Sequence, residues 1–148
     1  MNKPKLVATG LYGLVTLITA GIGLRFLLAT EYFDYHTQAS GINWGEVHPG
    51  LQLLALAGFK LIAAGFLAVT LSLTLLIIFP YYKQGQRWST FAIASIGILF
   101  WSIILVTTLM VSSATGAATP WGGSLFCVLV LAIAFILSLF DHNLRDSP

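Results

Sequence analysis

Four stretches of this chain, residues 6–29, 51–79, 88–111 and 121–140, are almost wholly apolar. Each is long enough to carry the roughly 20 residues of helix that cross a hydrocarbon core of about 30 Å. Lipid offers no partner to backbone N–H and C=O groups, so a spanning stretch must satisfy them internally, as an α-helix does. The sequence therefore reads as an all-α integral membrane bundle of four transmembrane helices. It forms a single domain over residues 1–148, with a longer outer loop at 31–50 between helices 1 and 2. Only 8% of the residues are charged, against roughly 25% in soluble domains, too few to solvate a globular surface in water. The net charge of +2 comes with no basic tract, and no nucleic-acid partner is expected.

The basic residues orient the bundle. Lys3 and Lys5 precede the first span, Lys83 and Arg87 separate the second from the third, and Arg145 follows the fourth. With four spans all of these fall on one side, while residues 31–50 and 112–120 hold no Lys or Arg. The positive-inside rule then puts both termini in the cytoplasm, and a bacterial inner membrane is the expected location. The first span reads as a retained helix rather than a cleaved signal peptide: its apolar run is too long, and Arg25 follows with no small-x-small cleavage site. Pro49 suits the first turn of the second span, Pro80 is expected to stop it, and Ser89 to cap the third. At roughly 1.5 Å per residue the second span is longer than the bilayer needs and should tilt, kink or project. Tyr81, Tyr82, Trp88 and Trp121 fall where aromatic anchors lie at the headgroups. Residues 112–120, small and uncharged, read as a flexible surface link.

Two cations interrupt the spans. Lys60 lies near the middle of the second, where a charge is costly and calls for a partner. Arg25 lies near the outer end of the first. No carboxylate lies inside any span, and the nearest acids, Glu31, Asp34 and Glu46, are all on the outer loop. One economical arrangement folds that loop over the outer mouth, with its acids turned to Arg25 and toward Lys60. Alternatively, Lys60 snorkels, meets a backbone carbonyl, or meets a partner subunit, a lipid phosphate or a polar ligand. Lys60, Arg25, Glu31, Asp34 and Glu46 are the candidate ligand- or partner-binding residues.

The outer loop also carries two acid-x-histidine pairs, Asp34/His36 and Glu46/His48. Histidine with carboxylate is metal-ligand chemistry, but this spacing is unspecific, so His36 and His48 are only weak candidates and no metal site is assigned. Tyr32, Phe33, Tyr35 and Trp44 mark an interfacial segment, with a short helix expected at about 31–39. Cys127 stands alone in an apolar run, which excludes a thiol–disulfide oxidoreductase. No catalytic residue set or phosphate loop is present, so the chain reads as a non-enzyme without a catalytic residue.

Small residues mark helix-contact faces: Thr9 with Gly13, Thr16 with Ala20 and Thr19 with Gly23; Ala64, Gly65 and Ala68; Ala92, Ser95 and Gly97; and Gly122, Gly123, Ala134 and Ser138.

The run Gly23-Leu24-Arg25-Phe26-Leu27-Leu28-Ala29, with Leu56-Ala57-Gly58-Phe59-Lys60-Leu61-Ile62-Ala63-Ala64-Gly65 after the loop, resembles a loose group of small bacterial four-helix membrane proteins that includes DoxX-like and uncharacterised families. Such proteins often carry a basic residue near the end of helix 1 and a helix 2 rich in small residues. Where the group has an arginine in helix 2, this chain has Lys60. Ala117-Ala118-Thr119-Pro120-Trp121, leading into the fourth span, is similar to the same group. Some DoxX-like members are linked to quinone-coupled oxidation, the one chemistry the resemblance implies.

Three functions fit these features. The first is a non-catalytic accessory or scaffold subunit packed against a larger membrane complex or a second copy, and against lipid. The second is a binding protein or enzyme component for a hydrophobic ligand, a quinone or a lipid, with Lys60 and Arg25 as polar contacts and Trp101 or Tyr12 as aromatic walls. The third is a small oligomeric transporter, disfavoured by the lack of an intramembrane acid. No cofactor is required by any of them; a quinone or bound lipid fits the second.

Overall fold

A computed structural model describes residues 3–146 of the chain, with side chains through residue 140. The elements are α1 (Lys3–Leu27), a short α2 (Asp34–Ser40), a 3-10 turn (Trp44–Glu46), α3 (Pro49–Leu76), a π-helical segment (Ile77–Lys83) that prolongs α3, α4 (Arg87–Thr115) and α5 (Trp121–Asp146). The fold is all-α, and four of its helices are long and apolar enough to cross a membrane. The chain is an integral membrane protein of four helices joined by two short connections and one longer loop.

The four long helices form a ring in the order α3, α1, α5, α4. Three of the contacts are close; the fourth, between α4 and α3, is sparse. Two glycines account for two of the close approaches. A Cβ on Gly23 would meet Phe66 Cβ at 3.0 Å, so α1 nests against α3 only because that position has no side chain. A Cβ on Gly97 would meet Leu131 Cδ1 at 3.0 Å, which brings α4 onto α5. Thr16, Thr19, Ala134 and Ser138 are likewise buried between helices. Ala64, Gly65 and Ala68 of α3 instead face outward, and Gly13, Gly122 and Gly123 have open space at Cβ.

Pro80 does not end the second span. The helix runs on to Lys83 in a wider π register. Proline lacks an N–H and crowds the carbonyl four residues back; the π register absorbs that conflict, and Gln84 N–H closes it on the Phe79 carbonyl at 3.1 Å. The widened turn points Tyr81 inward. Its hydroxyl meets Ser138 Oγ at 2.8 Å and its ring packs edge-on against Tyr12 at 5.6 Å. Lys5 closes the same end, donating to the Tyr82 carbonyl at 3.1 Å.

Pro49 occupies the first turn of α3 as expected, and His48 caps it by accepting the Gly50 N–H on Nδ1 at 3.1 Å. Ser89 is not the cap of α4. The helix begins at Arg87, and Ser89, one turn in and buried, donates to the Gln86 carbonyl at 2.5 Å. Nor are residues 112–120 a loose link. α4 continues to Thr115, Gly116 takes a left-handed turn at φ 73°, and the rest is tied down. Thr119 Oγ1 donates to the Thr108 carbonyl at 2.8 Å, Ser112 Oγ to the Ala117 carbonyl at 3.0 Å, and the Ala118 N–H to Gln38 Oε1 of α2 at 3.0 Å. Backbone groups brought near lipid must find partners, and these small residues supply them.

Candidate ligand-binding site

The loop between α1 and α3 folds back over one end of the bundle. Asp34 sits in the first turn of α2, where a carboxylate suits the positive helix end. Gly41 ends the helix in the left-handed conformation at φ 68°, its N–H on the Thr37 carbonyl at 2.9 Å. A seven-residue helix has little stability of its own, so its position rests on side-chain packing. Phe59 of α3 is the platform. Phe33 stacks on it at 5.4 Å and His36 lies against it at 4.9 Å, while Tyr35 meets His36 at 4.0 Å. Phe26 of α1 packs edge-on against Phe33 at 5.0 Å, and the Arg25 guanidinium lies over the other side of that cluster, 4.6 Å from the Phe33 ring centre. Tyr32 and Trp44 meet at 4.7 Å, and Gln52 of α3 donates to the Trp44 carbonyl at 2.7 Å.

Beneath α2 the bundle encloses a cavity of about 460 Å³. That volume falls within the roughly 300–1,000 Å³ of small-molecule sites. Ile18, Ile22 and Phe26 of α1 line it, with Ile62 and Phe66 of α3, Trp101 and Ile104 of α4, and Phe126 and Cys127 of α5. Tyr35, His36 and Ala39 of α2 form the roof. Its existence follows from the ring: α4 and α3 touch sparsely, and large rings prop the space open. Phe66 meets Phe100 at 4.9 Å, and the Trp101 indole N–H reaches Thr19 Oγ1 of α1 at 3.3 Å. Among the wall residues Ile62 is 42% exposed and Phe126 49% exposed, so the cavity is not sealed from the outside.

The lining is almost wholly apolar and includes no Lys, Arg, Asp or Glu. The hydroxyl protons of Thr107, Thr108 and Thr119 are committed to backbone carbonyls, each at 2.8 Å. Ser124, buried in the same wall, and Tyr35 in the roof carry uncommitted hydroxyls. His36 is the remaining polar side chain. Its Nδ1 is buried with no hydrogen-bond partner. Burial lowers its pKa below the ordinary imidazole value, so the ring is neutral at pH 7. Burial likewise pushes the Tyr35 hydroxyl up to about 12, partly offset by the Arg25 charge.

The residues singled out from sequence lie elsewhere, with two exceptions. Lys60 reaches back to the end of α1 and donates to the carbonyls of Leu27 and Ala29, the second at 3.3 Å. Arg25, Glu31 and Asp34 border one shallow depression beside Ala29, outside the cavity. Among the described residues no loop carboxylate pairs with Arg25 or Lys60. Glu46 is spent locally, accepting from the backbone and side chain of Asn43 at 3.3 and 3.4 Å. His48 caps α3 and does not meet His36, and the described residues hold no cluster of three or more metal-ligating side chains. Trp101 is a cavity wall, whereas Tyr12 lies toward the far end against Tyr81. His36, read only as a weak metal candidate, is the second exception: it sits in the roof. Its signal in the sequence was the run Tyr32-Phe33-Asp34-Tyr35-His36, an imidazole among rings, but which side of α2 it faces depends on Phe59. Ser124, Ile62 and Ile104 carried no signal at all.

Fold and site together define a four-helix membrane protein with a roofed, partly open apolar cavity. Comparison with protein-family models, curated proteins and solved structures returned no match.

Proposed function

We propose that this protein binds one hydrophobic small molecule, a quinone or a lipid, taken sideways from the membrane into the cavity beneath α2. The observation that carries the reading is the cavity itself: of small-molecule size, apolar, partly open and roofed by a docked helix. The roof faces away from the cytoplasm in this reading, since Lys3, Lys5, Lys83 and Arg87 gather at the opposite end, and a bacterial inner membrane is the natural setting. No catalytic step is assigned. The test is native mass spectrometry of the protein extracted from its own membrane in mild detergent, beside the double variant Ile22→Trp/Ile104→Trp, whose two indoles obstruct the cavity from α1 and α4. Wild type should carry one small molecule that the variant lacks. Wild type recovered without any small molecule would sink the reading.

A second reading, an accessory subunit, draws on the outward face of α3, where Ala57, Ala64, Gly65, Ala68 and Ser72 are exposed. Small residues at such spacing let another helix approach closely. Recovery of a second membrane protein in fixed stoichiometry, lost in Ala68→Leu, would favour it.

A further inference from the structure

We infer that the cavity selects an uncharged amphiphile whose polar end is a hydrogen-bond acceptor, a carbonyl or ether oxygen, and that His36 receives that oxygen through its Nε2–H. This rests on the ligand-binding reading above and names the chemistry of its ligand.

Three observations converge. First, the lining itself holds no ionised group: Lys60 is spent on the end of α1, and Arg25 lies outside the lining over Phe33, its charge felt only at the Tyr35 hydroxyl in the roof. An ionised headgroup brought into this apolar space would lose its hydration without gaining a counter-charge. Second, the imidazole has one usable nitrogen. Nδ1 is buried and has no partner in either tautomer, and an orphaned buried N–H is rarer in folded proteins than an orphaned acceptor. The neutral ring therefore carries its hydrogen on Nε2, which is not buried in this way, and His36 presents a donor. Third, donors in the cavity are scarce, because the threonine hydroxyls that line it already donate to carbonyls. That leaves Nε2–H at the roof, with the Ser124 hydroxyl and the Tyr35 phenol as possible seconds. A ligand oxygen that only accepts fits this set, and an apolar body then extends along Ile22 and Ile104 to Phe66 and Trp101.

Trp101 supplies the readout. The protein in lipid nanodiscs is titrated with three brominated probes of one chain length: a dibromostearoyl methyl ester, the free acid at about pH 9, where it is ionised, and the dibromoalkane. Quenching due to Trp101 is taken by difference from Trp101→Phe. The ester should bind at least about tenfold tighter than the ionised acid. His36→Phe keeps a ring in the roof but removes the N–H, and should bring the ester to the alkane's level, a loss of up to about tenfold. His36→Gln, which restores an N–H donor, should recover part of that loss. An acid that binds as tightly as the ester overturns the inference while leaving a hydrophobic site in place, as does ester binding unchanged in His36→Phe. Quenching by none of the three probes overturns the ligand-binding reading as well. If His36→Phe does not fold, the ester–acid comparison in wild type and the Gln variant decide the matter.

Discussion

Lys60 ties the end of α1 to α3: its ammonium donates to the Leu27 carbonyl, and to that of Ala29 at 3.3 Å. These carbonyls belong to the last turn of α1 and the residues just past it, where the helix has no further N–H to offer. A cation at a helix C-terminus also meets the negative end of the macrodipole. The lysine that looks misplaced in an apolar stretch thus extends along its own helix to a group of acceptors that need a donor.

Lys60→Met should therefore cost stability rather than add it. The side chain is exposed, so the loss is expected at about 1 kcal/mol, and Lys60→Arg should keep most of the stability. Thermal denaturation in a fixed detergent reads this directly. A methionine variant as stable as wild type would show that water or lipid headgroups serve the carbonyls equally well. Ligand retention should not change, because Lys60 does not line the cavity.

Gly23 and Gly97 look alike in sequence but should respond differently to alanine. At Gly23 the new methyl meets Phe66 Cβ at 3.0 Å and Leu67 Cγ at 3.2 Å, atoms close to the α3 backbone that cannot swing aside. Gly23→Ala should destabilise by about 1–3 kcal/mol. At Gly97 the nearest atoms are the terminal methyls of Leu131, which can rotate away, so Gly97→Ala should cost less than about 1 kcal/mol. Equal melting temperatures for the two variants would refute the distinction.

The docking of α2 should weaken in acid. Burial lowers the His36 pKa in the docked state, so an undocked His36, at the ordinary value near 6.5, takes up a proton first as pH falls. The docked state is fully favoured above about pH 6.5 and loses ground as pH drops below it, down to the lowered docked pKa. Amide hydrogen exchange of residues 34–40 should speed up from about pH 7 to pH 5 beyond the intrinsic pH effect. The change should vanish in His36→Phe.

Tyr81→Phe tests the π turn. It removes the 2.8 Å contact with Ser138, whose hydroxyl keeps its bond to the Ala134 carbonyl at 2.8 Å. With one partner still satisfied, the cost should be about 0.5–1.5 kcal/mol, and Ser138→Ala, which leaves the buried Tyr81 hydroxyl without that partner, should cost more. The order of the two melting temperatures checks the claim.

The number of spans, their approximate places and the end at which the basic residues gather were legible in the amino-acid sequence, because the cost of burying charge and bare backbone in lipid acts on each segment separately; the second and third spans run about four residues past the expected ends. Pro49 could be placed for the same local reason. What required the tertiary structure was everything set by relations between segments. Pro80 read as a stop, yet the chain carries a π turn through it, with Tyr81 held inward by Ser138 on another helix. Lys60 announced a need for a partner but not that the partner would be the end of α1. The cavity left no trace in composition or spacing, since its walls are built from isoleucines and phenylalanines, the same residue types that face outward elsewhere. It arises because Gly23 and Gly97 draw two helix pairs close while α4 and α3 stand apart, and because Phe59 gives α2 a surface on which to dock and turn His36 over the gap.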